Sequence, residues 1–349
     1  CPSNMGHNAI VRWRNKEKVD MRKYIAIAIL GVIASTTASA LDVKGNVGYR
    51  YDSQEVGNAS AVTQDKLKAE LALSADVNDK TKVVVGLRTG DAKSAYSTFG
   101  GGANLKGIDL NLAYVEYAPI ASTKVTFGKM HQPWADSSSF FFDKDIKPEG
   151  LAVAFDAGRG LSVNAYSLTI AEGGQNSDSK VKGFQVGLSR DVLGFNTAAF
   201  AGVMNQDFAI PNATGVTTPP RRSVIELHRV GASVSKGPFG AFVDRAENDK
   251  AALGKDDTAL AYGLSYGKAE KPGSWDVSIA RQKVEKNSLS GFWLDSDFAL
   301  SNTQHEGEAV IVNYVVAKGY KVSGKFYNAE VGANKADNKH IMVDLNYTF

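Results

Sequence analysis

Past residue 40 this chain offers only four histidines for proton-transfer chemistry: His131, His228, His305 and His340. A hydrolytic site needs a Ser or Asp nucleophile, a His base and a third group that orients the ring. The nearest approach is SVIELHRVGASV (223–234), where His228 stands beside Glu226 and Ser233. Val224, Glu226, His228 and Val230 share one face of that alternating segment, which is how a strand end reads, not a catalytic pocket. His305 and Glu306 form an isolated pair at a loop–strand junction. No HExxH, Cys/His cluster or EF-hand spacing occurs, so no metal site is expected. Gly100-Gly101-Gly102 lacks the Lys-Ser/Thr of a phosphate cradle, and no cofactor is expected.

The densest chemistry-bearing stretch is TFGKMHQPWADSSSFFFDKDIKPEGLAVAFD, residues 126–156. It carries Asp136, Asp143, Asp145 and Glu149 against Lys144 and Lys147, with Trp134 and the triplet Phe140, Phe141 and Phe142 as anchors. Three consecutive solvent-facing phenylalanines would be an aggregation hazard, so the segment must pack on something.

The elements around it are strands. In VKGNVGYRY (43–51), Val43, Gly45, Val47, Tyr49 and Tyr51 alternate with Lys44, Asn46, Gly48 and Arg50. KLKAELALSADV (66–77) sets Leu67, Ala69, Leu71, Leu73, Ala75 and Val77 against Lys68, Glu70 and Asp76. The terminal HIMVDLNYTF (340–349) places Ile341, Val343, Leu345, Tyr347 and Phe349 on one face. Period-two alternation means strands with one apolar and one wet face. About sixteen are expected: 43–52, 65–77, 81–91, 107–118, 123–131, 149–157, 160–170, 181–190, 194–204, 223–236, 239–247, 258–268, 274–285, 304–318, 320–331 and 340–349.

Short connections alternate with long Gly/Asn/Ser/Asp-rich ones. This predicts an all-β fold, a transmembrane antiparallel β-barrel with short periplasmic turns and long extracellular loops. Sheet edges cannot stand open in lipid, so the final strand is expected to close on the first. Tyr347 and Phe349 would then lie in an aromatic girdle. A barrel of this size encloses an aqueous lumen, where Lys44, Arg50, Lys68, Glu70, Lys82 and Arg88 can face water. The segment 132–148 is a candidate constriction if it folds inward. It would bring Asp136, Asp143, Lys144, Asp145, Lys147 and Glu149 opposite a basic wall of Arg50, Arg88 and Lys129. An external lid or a subunit contact is the alternative placement.

Residues 21–40, MRKYIAIAILGVIASTTASA, have a basic start, a short apolar core and a small-x-small end, the make-up of a cleaved signal peptide. Residues 1–20 read as an upstream extension, which leaves 41–349 as the barrel. The chain's net charge is +3, but residues 1–40 hold six Lys or Arg and two Asp or Glu. The remainder has 34 basic and 35 acidic residues, which gives no footprint for a nucleic-acid partner. The single cysteine, Cys1, excludes a disulfide framework.

GKMHQPW (128–134), DKDIKPEG (143–150), LDSDFALSNTQHEG (294–307) and the Phe-terminated last strand resemble the bacterial porins, in particular the putative-porin group. The resemblance implies a sixteen-stranded outer-membrane barrel, a homotrimer, a third loop folded into the pore and passive diffusion of ions and small hydrophilic solutes. It also implies delivery to the barrel-assembly machinery through the end of the chain at Tyr347 and Phe349. A hydrolase on a smaller barrel and an adhesive or structural surface barrel are the alternatives. About twelve strands would mark the first, and long packed loops the second.

Overall fold

The computed structural model describes residues 41–100, 106–138, 140–172, 178–210, 221–251 and 256–349. The expected extension and signal peptide lie outside the described residues.

The strands are β1 (Asp42–Val56), β2 (Val62–Asn78), β3 (Thr81–Arg88), β4 (Ser97–Thr98), β5 (Asp109–Ile120), β6 (Thr123–Lys129), β7 (Glu149–Gly158) and β8 (Leu161–Ala171). They continue as β9 (Ser179–Val192), β10 (Phe195–Ile210), β11 (Arg221–Lys236), β12 (Phe239–Asn248), β13 (Thr258–Gly267), β14 (Trp275–Val284), β15 (His305–Ala317), β16 (Tyr320–Val331) and β17 (Ala336–Thr348). All pairings are antiparallel, between consecutive strands except at β2–β4, β3–β5 and the closure, where β17 pairs with β1 from Asn46↔Thr348 to Val56↔Asn338. β4 continues the lane of β3 by pairing with Lys66 and Leu67 of β2, so the closed sheet has sixteen lanes. One helical turn, α1 (Ser296–Ala299), lies between β14 and β15.

All sixteen expected strands are present. The main differences are at the upper ends, where β17 begins at Ala336 instead of 340 and β10 runs to Ile210 instead of 204. The outward positions Asn205 and Asp207 of β10 and Asp337 and Lys339 of β17 are polar, so the outward apolar alternation stops there, yet backbone pairing continues. At the other end, two-residue turns join the strands at 79–80, 121–122, 159–160, 193–194, 237–238 and 318–319. In Arg159-Gly160 and Leu193-Gly194 both residues have positive φ (54° and 78°, 56° and 75°), the twist-matched geometry of a tight hairpin.

The outer face is apolar, as for Val47, Phe127, Leu264 and Ile279, all about half exposed or more. Next to the short turns lies an aromatic row. Tyr266 is 5.0 Å from Phe239 and 5.8 Å from Trp275, and Tyr347 is 4.4 Å from Tyr320 and 5.9 Å from Phe349.

The inner face departs from a uniformly wet wall. On β1–β6 it carries Arg50, Lys66, Lys68, Glu70, Lys82, Arg88 and Glu116. On β9–β17 it carries Val181, Met204, Leu227, Ala261, Ala309 and Met342, all essentially inaccessible. These form one apolar cluster with Trp134, Phe140, Phe141, Phe142, Leu289, Trp293, Leu294 and Phe298 of the long connections.

The closure seam makes a prediction. Gly45 and Phe349 exchange both backbone hydrogen bonds at 3.0 Å, and a Cβ on Gly45 would stand 2.1 Å from the Phe349 ring. Gly45→Val should push the Phe349 ring aside and cost about 0.5–1.5 kcal/mol, the worth of its contact with Tyr347. The readout is a lower temperature for the shift of the folded band in heat-modifiability gels. Gly324→Val, whose Cβ meets nothing within 4 Å, should leave that temperature unchanged.

Candidate functional site

The chain leaves the wall between β6 and β7 at a glycine pair. Gly128 and Gly150 oppose each other with φ of 116° and 146°. A Cβ at Gly128 would meet the Ala113 carbonyl at 2.2 Å, so only glycine fits. The intervening segment bonds to inward-facing side chains of the far strands. Gln185 of β9 accepts from the Ala135 amide at 2.6 Å and donates to its carbonyl at 3.0 Å. Asp244 of β12 accepts from the amides of Ser137 at 3.1 Å and Ser138 at 2.5 Å. Arg229 of β11 pairs with Asp136, both side chains being 3 % exposed, and its guanidinium lies 4.3 Å from the Phe142 ring centre.

The 285–304 connection packs on the same segment. Trp293 meets Trp134 edge-on at 5.3 Å and Phe142 at 6.0 Å, while Phe140 meets Phe298 at 5.6 Å. The Asp143 amide donates to the Trp293 carbonyl at 2.6 Å. Each such ring contributes about 1.5–3 kcal/mol by burial and about 0.5–1.5 per aromatic pair. A third connection pins the second: Lys93 Nζ donates to the carbonyls of Gly291 at 2.7 Å and Leu294 at 3.2 Å, and to Ser301 Oγ at 2.6 Å.

Asp295 caps α1 by accepting from the Asp297 amide at 2.8 Å. Asp297 reaches Arg50 at 3.4 Å and Lys325 at 3.5 Å. Its carbonyl bonds His340 Nδ1 at 2.7 Å, and His340 Nε2 lies 3.2 Å from Asp52. Burial pushes Asp295 well above the ordinary carboxylate range, with Asp297 and Asp143 adding repulsion. Burial also opposes charge on Asp297, but Lys325, Arg50 and His340 outweigh it and hold its pKa low. Asp143 rises to about 6, mainly by burial, with Asp145 and Asp297 contributing. Its Oδ1 accepts from the Asp145 amide at 2.9 Å.

The sequence-expected residues are therefore distributed as separate pairs. Asp136 is held by Arg229 and also by Lys144, and Asp145 bonds Arg88 at 2.8 Å. Lys147 donates to the Lys144 carbonyl, and Lys129 bonds Glu149 at 2.9 Å. Arg50 grips Asp344 at 2.6 Å and stacks on Tyr96 at 4.1 Å. Arg50, Arg88 and Lys129 thus face three different acids and do not form one patch. Trp134 and Phe140–Phe142 are all buried, whereas Tyr347 and Phe349 sit in the aromatic row at the seam.

Sequence reasoning missed Arg229, Asp244, Lys93, Trp293 and Asp297. The 294–307 stretch bonds inward-facing Arg50, Lys325, Asn338 and His340. A signal for Arg229 and Asp244 was available, since each is a charge on the otherwise apolar inner face of its strand. Among the described residues, no three His, Cys, Asp or Glu side chains come together to hold a metal.

Two cavities flank the 130–148 segment. One of about 350 Å³, toward the long connections, is bounded by Arg88, Asp109, Asp145, Lys147, Glu172 and Phe292. The other, of about 400 Å³, is bounded by Glu116, Lys124, His131, Trp134 and Asn164.

No curated protein matches the chain. Among solved structures, OprB of Pseudomonas putida at high pH superposes with a TM-score of 0.63 at 11% identity, covering 94% of this chain and 97% of that one. OmpF of Salmonella typhi, in complex with daunomycin, gives 0.55 at 14% identity over 88% and 97%. OmpT of Vibrio cholerae in its trimer form gives 0.52 at 14% over 89% and 100%. At these identities the likeness is one of fold. A sequence profile described as "Putative porin" matches residues 26–215, more than half of the chain. The chain belongs to the putative-porin family, and its barrel is an outer-membrane channel.

Proposed function

We propose that the barrel passes ions and small hydrophilic solutes by passive diffusion along an off-axis path beside β5–β8, narrowed by the 130–148 segment. The observation that carries this reading is the pair of cavities on opposite sides of that segment, next to a wall whose inner residues are charged. The far wall is largely apolar, its Arg229 and Asp244 are taken up by the segment, and it is covered, so water and solutes keep to the other side. Asp145 and Lys147 border the cavity on the long-connection side, together with Arg88. Mixed charge there favours small polar solutes over large apolar ones. Asp136, Asp143 and Lys144 act in this reading by holding the segment in place.

The reading extends to orientation and assembly. Long connections face outward from the cell, short turns face the periplasm, and three copies associate, as in the trimer form of OmpT. Residues 21–40 direct export and are removed. Tyr347 and Phe349 present the assembly signal.

Single-channel recording of the reconstituted protein across a salt gradient tests this directly. Stepwise currents support the channel, and their absence from folded protein overturns it. Arg229→Met leaves Asp136 with Lys144 alone, so the loss should fall below the roughly 3–5 kcal/mol of a buried pair broken outright. The expected result is a loosened segment, with larger and noisier single-channel currents. Combining it with Asp136→Asn should restore most of the wild-type behaviour.

The pH dependence follows from Asp143. Its raised pKa means the packed segment binds a proton that a solvated carboxyl releases. The stabilisation is full below the ordinary value of 3.8 and is lost as pH rises through about 6. Asp295, also raised, acts in the same direction. Current noise should therefore increase on going from below to above about pH 6, and Asp143→Asn should flatten that change.

A further inference from the structure

The outer face of β7–β11 holds a feature that conduction does not use. A groove of about 500 Å³ runs there between Leu151, Val153, Phe184 and Val203, with Ala165 in its floor. Such depressions arise where small side chains stand between large ones on a lipid-facing sheet. The polar margin of this groove is unusual in its register. Ser167 pairs with Lys182, Lys182 with Asn205, and Asn205 with Glu226. Outward alternation thus lays four polar residues in one row across the strands. Directly beneath lies an apolar row in which Ala165 pairs with Phe184 and Phe184 with Val203.

Within the row the charges are not equivalent. Glu226 is already occupied by Lys250 at 3.2 Å. Above the row, Lys180 is paired with Asp178 at 3.0 Å. Lys182 is exposed and makes no ion pair among the described residues. An ammonium without a carboxylate, flanked by an amide and a hydroxyl and set at the mouth of an apolar groove, matches an amphiphile with an anionic head and a hydrocarbon tail. The row lies toward the long-connection ends of β7–β11, where a head group of the outer leaflet would stand.

We infer that this groove binds a phosphorylated, acylated lipid of the outer leaflet, with an acyl chain along Phe184 and Val203 and the phosphate on Lys182. The inference rests on the barrel standing in the outer membrane, but not on whether it conducts. Native mass spectrometry of the purified full-length assembly, titrated with bisphosphorylated lipid A or its dephosphorylated form, tests it.

Wild-type protein should retain the phosphorylated lipid and hold the dephosphorylated form about fivefold more weakly, the loss typical of one Lys–phosphate contact. Lys182→Gln should weaken the phosphorylated lipid by about the same factor and leave the dephosphorylated form unchanged. Ala165→Phe, which fills the groove floor, should weaken both. Lys180→Gln should weaken neither. Equal retention of both lipids by wild-type protein would overturn the inference without any reliance on a variant. So would a change of oligomeric state in Lys182→Gln, since it would make the row a contact between copies of the chain. Loss of channel current with lipid retention intact would count against the proposed function alone and leave this site standing.

Discussion

A backbone in hydrocarbon has no water to bond, so each unpaired N–H or C=O at the edge of a sheet is expensive. That constraint closes β17 onto β1 and demands apolar residues at the outward positions of the membrane-spanning parts of the strands. Sixteen lanes, however, enclose more space than side chains alone can fill. The barrel answers this unevenly, with a charged inner wall on β1–β6 and, on β9–β17, a largely apolar one whose few charges, among them Arg229 and Asp244, hold one of the two connections that cover it. Closure sets the size of the lumen, and the apolar wall supplies the surface on which the connections can be held.

What holds those connections is a division of labour between rings and charges. The aromatic contacts among Trp134, Phe140, Phe142, Trp293 and Phe298 supply non-directional attraction. They do not fix register, and the indole nitrogens of Trp134 and Trp293 are buried without hydrogen-bond partners in the protein. Position comes from Arg229 with Asp136, Asp244 on the Ser137 and Ser138 amides, and Asp297 between Arg50 and Lys325. Buried pairs of this kind add little net stability against an apolar replacement, but breaking one is costly. Their value here is to specify a single seating for segments that packing alone would leave free to slide.

Much of the barrel was legible because lipid imposes a strict code. Val43 to Tyr51, Leu67 to Val77 and Ile341 to Phe349 alternate because one face meets hydrocarbon, and the strands follow within a few residues. The code stops where lipid stops, which is why the ends of β10 and β17 next to the long connections, with Asn205, Asp207, Asp337 and Lys339 outward, read as shorter strands. Inside the barrel it does not apply. The three phenylalanines announced that 132–148 must be buried but not against what. The partner, Trp293, sits in a connection whose polarity suggested solvent, and the basic residues nearest the acids come from β11, β16 and β3, far apart in sequence. Pairings such as Arg50 with Asp344, separated by 294 positions, depend on closure and have no local signature.

Thiol accessibility distinguishes the two sides of the inner wall. With Cys1 the only native cysteine, single substitutions Lys68→Cys and Lys82→Cys on the charged wall can be compared with Ala261→Cys and Ala309→Cys on the apolar wall. A charged, water-soluble methanethiosulfonate reagent is applied while single-channel current is recorded. Stepwise block is expected at Lys68→Cys and Lys82→Cys, and no reaction at Ala261→Cys or Ala309→Cys. Equal reaction and block on both walls would contradict it, and would mean a central, water-filled lumen with the connections lying elsewhere.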